Sequence, residues 1–313
     1  MSKRAFLFPG QGAQYVGMGK ELAERSPAAR AVFQRASLRL GVDLAAVCFE
    51  GPEESLTRTD YQQPAILTHA LAAVEALRGE YGEEAVQAQL AAGLSLGEYG
   101  ALVFAGVLEL EDGVYLVRKR GEYMQAASEA YPSGMAAVMK LTAEQLEPLC
   151  QQAAQETGEH CILANLLGEK SITISGGKQA VERAVELVKE QRGRGLVLDV
   201  AGAFHSPYMQ PAQESLAAEI ERTQFHPPRI PIVCNVDAEP TTDVERLRAN
   251  LVKQLTSPVQ WAKTVERLNA ESVADYVEPG PGGVLTGGLK RTHRDARTRK
   301  VDTKSDLDAF NNL

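Results

Sequence analysis

Short apolar runs that alternate with amphipathic stretches at helical spacing set the tightest limit on what this 313-residue chain can become. Runs suited to buried strands fall at 5–8, 136–141, 172–175, 196–200, 231–236 and 273–277. Between two of them, residues 179–191 place Ala180, Val181, Ala184, Val185, Leu187 and Val188 on one face of a helix. A second helix is expected to start after Thr142, with Gln145 completing a capping box. Strands that recur between helices are covered by them on both faces and join in strand–helix–strand units, mostly parallel. The expected class is α/β.

Residues 131–198 read as an insertion. They open with YPSG and hold two strand–helix repeats, MAAVMKL with 142–156 and SITISGG with 179–191. Periodicity leaves open whether these units build a small separate sheet or extend the main one. The basic run KRTHRDARTRK at 290–300 is expected as the solvated end of a C-terminal helix, with a docking patch for an acidic partner as its alternative.

Composition removes several function classes. A net charge of −8 argues against nucleic-acid binding, which needs a concentrated basic surface. No apolar run approaches the ~18 residues of a membrane span, so no membrane partner is expected. The opening MSKRAFLFPGQG has too short an apolar stretch for a secretory signal. Cys48, Cys150, Cys161 and Cys234 show no metal-ligand or CxxC spacing and read as free, buried thiols. The expectation is a soluble cytoplasmic protein with no bound metal.

The sharpest local feature is AAGLSLGEYGALVFAG at 91–106, in which Gly93-Leu94-Ser95-Leu96-Gly97 fits the GxSxG nucleophile elbow. Such a turn needs glycines because a strand and a helix approach closely on either side of the serine. Ser95 would sit at a helix N-terminus, where free N–H groups and the dipole favour developing negative charge. The preceding AQLAA is a poor strand by propensity; the following residues suit an apolar helix. A nucleophilic serine needs a base. Among His69, His160, His205, His226 and His293, only His205 follows a strand-like run and precedes a proline turn, which ranks it slightly above its rivals. The Leu96 amide is one oxyanion donor by position, and the glycine-rich turn FPGQGAQ at 8–14 is a good source of a second. That turn lacks the GxxxxGK[ST] and GxGxxG patterns of nucleotide sites.

Eight segments in order resemble the malonyl-CoA:acyl carrier protein transacylase family, including the free-standing acyltransferases of polyketide synthesis. They are FPGQGAQYVGMG, QQPAI, GLSLGEYGALVFAGV, RKRGEYMQ, GMAAVM, AGAFHSPYM, SPVQW and EPGPGGVLTG, spread from residue 8 to 287. The resemblance implies an α/β-hydrolase-like large domain with a parallel sheet (1–130 and 199–313) and an inserted small ferredoxin-like subdomain (131–198). It makes Ser95 the nucleophile and His205 the base, with the histidine oriented by a main-chain carbonyl at Gln254. It assigns the oxyanion hole to the amides of Gln11 and Leu96. Arg120 becomes the partner of the malonyl carboxylate, with Arg118 as the nearby alternative. Gln63, Leu94, Phe204 and Asn165 fall in the substrate pocket, and Ala203-Phe204 before His205 is similar to the malonyl-selective pattern. Two departures stand out: Leu94 replaces the family's usual histidine, and ANLLGEKSITISG replaces an ANxNSP-like turn.

What the resemblance implies is malonyl transfer from coenzyme A to the phosphopantetheine thiol of an acyl carrier protein, through a malonyl-serine and without a cofactor. Two rivals remain. A serine hydrolase would use a late histidine such as His293, and a non-catalytic binding protein would retain the fold without an acyl-serine.

Overall fold

The computed structural model describes residues 3–311. In chain order its strands are β1 (Lys3–Phe8), β2 (Leu90–Gly93), β3 (Ser133–Met139), β4 (Cys161–Gly168), β5 (Ser171–Gly177), β6 (Arg194–Val197), β7 (Ile232–Val233), β8 (Pro240–Thr241), β9 (Val273–Pro279) and β10 (Arg297–Val301). Six of them form one sheet in the order β10-β9-β1-β2-β7-β8, parallel throughout except for the β7–β8 pair.

β1 is a continuous apolar run because both its faces are covered. Phe6 and Phe8 pack into the core built by helices Thr59–Tyr81, Gly97–Phe104 and Leu110–Ala130. Ala5 and Leu7 face the opposite core, with Trp261, Val265 and Leu268 of helix Trp261–Ala270. β2, the weak strand by propensity, lies between β1 and β7 with Ala91 and Ala92 fully buried. Pairing on both sides overrides the low strand preference of alanine.

The segment 133–197 forms its own antiparallel sheet, order β4-β5-β3-β6, which resolves the alternative that sequence periodicity leaves open. Helices Ala143–Thr157 and Lys178–Glu190 complete a strand–helix–strand–strand–helix–strand order, the ferredoxin-like arrangement. Thr142 and Gln145 make both bonds of the capping box. Ala136, Val138, Ile172 and Ile174 pack with Leu146, Val181 and Val188 into a core of their own.

Several element boundaries differ from the sequence expectation. β3 stops at Met139 because Lys140 turns the chain at φ 76°. β6 ends at Val197 and β7 spans only two residues. β4 has no counterpart among the expected strands: its ladder slips between Leu163 and Asn165 and again between Leu166 and Gly168, so its side chains lose the two-residue alternation that marks a strand. The basic run divides. Lys290 and Arg291 do end helix Val284–Thr292, but 297–301 is the edge strand β10 on β9, and Arg299 turns inward onto Asp275.

The two sheets are tied where β4 meets the large body. Leu166 N donates to Val259 O at 3.0 Å, and Val259 N donates to Ala164 O at 2.8 Å. The four cysteines are free and buried. Among the described residues no helix is long and apolar enough to cross a membrane.

Candidate active site

β2 runs into the helix Gly97–Phe104 through a turn so tight that its glycines are obligatory. A Cβ on Gly93 would lie 2.0 Å from the carbonyl carbon of Gly97, and one on Gly97 would lie 2.0 Å from Phe8 O. Ser95, at the apex, adopts the left-handed backbone at φ 52°. The side chain of Asn235, just past β7, clamps this turn. Its Oδ1 accepts from Ser95 N at 2.6 Å and its Nδ2 donates to Gly93 O at 2.6 Å.

His205 is the histidine that the fold brings to Ser95, with Nε2 2.7 Å from Oγ. It too has a left-handed backbone, φ 58°. Its Nδ1 donates to the main-chain oxygen of Gln254 at 2.9 Å. A main-chain oxygen only accepts, so Nδ1 carries the proton and Nε2 presents its lone pair to the serine hydroxyl. Burial, followed by the charge of Arg120, holds the imidazole down to about 4 against the opposing pull of the Gln254 and Ser257 main chain. The remaining histidines lie elsewhere. His69 is fully buried against Asp302 O at 3.0 Å, and His293 bonds Thr292 at the end of its helix.

Arg120 reaches the same point from helix Leu110–Ala130 and is completely buried. Its Nη1 donates to Gln63 Oε1 at 2.8 Å; its Nη2 donates to Ser95 Oγ at 3.0 Å and to Gln254 Oε1 at 3.1 Å. Nε has no partner among the described residues. Arg118, the alternative, turns away: it pairs with Asp60 at 3.0 Å and Glu122 at 2.8 Å and lies over the Tyr61 ring. The guanidinium of Arg120 is thus a buried cation held by neutral amides and a hydroxyl.

Gln254 does more than its main-chain oxygen implies. Its Nε2 donates to Ser95 O at 3.0 Å and to Glu98 Oε2 at 2.7 Å. Glu98 also accepts from Asn235 N at 3.1 Å, and burial pushes its carboxyl up to about 7. Asn235 and Glu98 are absent from the sequence expectation. Glu98 was detectable as the lone charge in the apolar stretch GEYGALVF, since a carboxylate is rarely fully buried without partners. Asn235 carried only the weaker sign of a polar residue directly after a buried strand.

Above Ser95 opens a cavity of about 720 Å³ between the two sheets, lined by Gln11, Leu94 and Phe204 on one side and Met135, Asn165 and Leu198 on the other. Arg120, Gln63 and Gln254 form the buried layer beneath it. Among the described bonds, neither the Leu96 amide nor the Gln11 amide donates to a protein acceptor. The Gln11 side chain is held by Gln62. Among the described residues, no group of three or more acidic, histidine or cysteine side chains has metal-site geometry.

A family model described as acyl transferase domain matches residues 5–306. The malonyl CoA-acyl carrier protein transacylase of Bacillus subtilis (strain 168) is 42% identical over 302 residues, covering 96% of this chain and 94% of its own. This chain belongs to the malonyl-CoA:acyl carrier protein transacylase family. The solved transacylase of Xanthomonas oryzae pv. oryzae superposes with a TM-score of 0.94 at 40% identity, over 99% of this chain and 98% of that one. A malonyl-transacylase solved in complex with its type II PKS acyl-carrier protein matches with a TM-score of 0.93 at 36% identity, over 98% of both chains. Where the transacylase family usually has histidine before the serine, Leu94 lines the cavity, and its main-chain oxygen sits 2.7 Å from where a Gly10 Cβ would be. An apolar surface replaces a titratable one at that point of the wall.

Proposed function

We propose that this protein moves a malonyl group from malonyl-CoA to the phosphopantetheine thiol of an acyl carrier protein, through a malonyl ester of Ser95. The observation that carries the reading is the convergence on one serine oxygen of a base at 2.7 Å and a buried guanidinium at 3.0 Å. A neutral acyl group would have no use for that cation, whereas a malonyl carboxylate pairs with a guanidinium in a bidentate manner. The relatives' names, and the neighbour solved with an acyl-carrier protein, point the same way.

In the first half-reaction His205 Nε2 takes the Ser95 proton while Oγ bonds to the thioester carbonyl carbon. The amides of Leu96 and Gln11 stabilise the oxyanion. The carbon–sulfur bond then breaks, and the coenzyme A sulfur leaves with the proton from His205. In the second half the carrier thiol gives its proton to His205, its sulfur attacks the malonyl-serine, and Ser95 recovers its proton as it departs. Each step uses groups of this chain and needs no cofactor. Gln63 and Gln254 hold the guanidinium; Leu94, Phe204 and Asn165 shape the acyl pocket. Four free, buried thiols fit a reducing cytoplasm.

The test is intact-protein mass spectrometry after mixing with malonyl-CoA, acetyl-CoA or methylmalonyl-CoA, followed by carrier protein whose phosphopantetheine thiol is free. A malonyl adduct that is absent in Ser95→Ala and is passed to the carrier is expected. No adduct with any donor would overturn the reading, and an adduct released only as free acid would make the protein a hydrolase.

A further inference from the structure

Glu98 is a buried ionisable group to which the proposed steps give no task. It is the second residue of the helix that follows the nucleophile, is enclosed, and touches neither the serine oxygen nor the cavity. Its Oε2 accepts two hydrogen bonds, from Gln254 Nε2 at 2.7 Å and from Asn235 N at 3.1 Å. Both donors belong to residues that hold the reacting groups. Gln254 gives its main-chain oxygen to His205 and its Oε1 to Arg120. Asn235 grips Ser95 N and Gly93 O.

An amide side chain can present either end to its surroundings, and its neighbours decide which. Arg120 only donates, so it requires the oxygen of Gln254. The acceptor on Glu98 requires the nitrogen. Without that acceptor, the nitrogen end of Gln254 loses the shorter of its two bonds, at 2.7 Å, and keeps only the one to Ser95 O at 3.0 Å. The backbone of Asn235 is left with an unpaired buried N–H, which is costly and is relieved only by movement.

We propose that Glu98 is a positioning residue whose Oε2, acting through Gln254 and Asn235, sets the orientation of Arg120 and the elbow of Ser95, and so helps set the preference for a carboxylated acyl group. The proposal rests on the malonyl-transfer reading. It assigns the residue the part of an acceptor rather than of a fixed charge or of packing volume.

Two substitutions separate these parts. Glu98→Met fills the space with no acceptor; Glu98→Gln keeps an acceptor oxygen and removes the charge. In the malonyl adduct assay, Glu98→Met is expected to slow acylation of Ser95 by roughly 10- to 100-fold and to shrink the malonyl-over-acetyl ratio, the size expected when reacting groups shift by a fraction of an ångström. Glu98→Gln is expected to restore most of both. Malonyl selectivity retained in Glu98→Met would overturn the proposal in favour of packing. Loss in Glu98→Gln equal to that in Glu98→Met, with both folded by cooperative urea unfolding, would overturn it in favour of charge. If Glu98→Met does not fold, Gln254→Leu removes the same bond from the other side, together with those to Arg120 and Ser95 O, and leaves the main-chain oxygen on His205. Full malonyl preference there overturns the proposal equally. Failure of the malonyl-transfer reading itself is distinct, because the unmodified protein would then form no malonyl-serine.

Discussion

Arg120 Nη2 stands 3.0 Å from Ser95 Oγ, so the buried cation and the nucleophile share a hydrogen bond. An arriving carboxylate competes for the same guanidinium with acceptors that are all neutral, the hydroxyl of Ser95 and the amide oxygens of Gln63 and Gln254. Replacing Arg120 by Ala should slow malonyl-serine formation by about 100-fold or more, the usual loss when one partner of a buried charge pair is removed. Acetyl-serine formation should change far less. Arg120→Lys keeps the charge but not the planar fork and should recover only part of the rate. Rapid-mixing mass spectrometry with both donors measures this, and equal losses for malonyl and acetyl would refute the assignment of Arg120 to the carboxylate.

His205 is held down to about 4 by burial and by Arg120, well below its ordinary 6.5. A base must be unprotonated, so kcat/KM should stay level as pH falls from 7 and drop only as it passes through about 4. A half-maximal point near 6.5 would contradict the burial of the imidazole. The same depression has a stability consequence: as pH falls below about 6.5 the unfolded chain takes up this proton first. The contribution of His205 to stability is therefore complete above 6.5 and is lost towards 4. Arg120→Ala removes one of the two causes and should move the acid limb upward.

Glu98 shifts in the opposite sense, from 4.5 to about 7, because burial disfavours its charged form. Its contribution to stability is complete below about 4.5 and is lost as pH rises through about 7. Glu98→Gln carries no proton to lose. The stability of Glu98→Gln relative to the unmodified protein should rise between pH 5 and pH 8, by at most about 3 kcal/mol. Urea unfolding of both proteins at the two pH values tests it; a constant difference would show that the carboxyl is not desolvated.

Gly97→Ala should unfold the site before it affects chemistry. Its Cβ would meet Phe8 O at 2.0 Å, a main-chain atom, and a Cβ has no rotamer to relieve the contact. A loss of at least about 2 kcal/mol in urea unfolding is expected, with little soluble activity. A near-neutral effect would mean that the elbow is looser than its glycines require.

How much of this was legible depends on what each feature is made of. β1 and helix Lys178–Glu190 announce themselves through periodicity, and the elbow through glycines that steric contact demands. β2 is alanine-rich because a helix and two strands crowd it, which hides it from propensity. β4 is interrupted by two register shifts, and β10 is a charged edge strand that reads like a solvated tail. Within the site, Arg120 shares the buried helix face of Val117, Met124 and Ala127, a place where a charge is informative; Arg118 does not. The carbonyl that orients His205 is main chain, and no residue type at 254 encodes it. Motif resemblance located that position; the side-chain bonds of Gln254 to Ser95, Arg120 and Glu98 emerged only in three dimensions.

The left-handed backbone at both Ser95 and His205 bears on how such a protein evolves. A non-glycine residue in that region costs roughly 1 kcal/mol or more, and a single substitution to glycine at either position relieves it. Asn235 and Gln254 grip the main chain of Ser95, and the main-chain oxygen of Gln254 holds the His205 ring. Under selection for thermal endurance alone, drift would erode these two positions early, and activity would disappear from lineages whose fold had become sturdier.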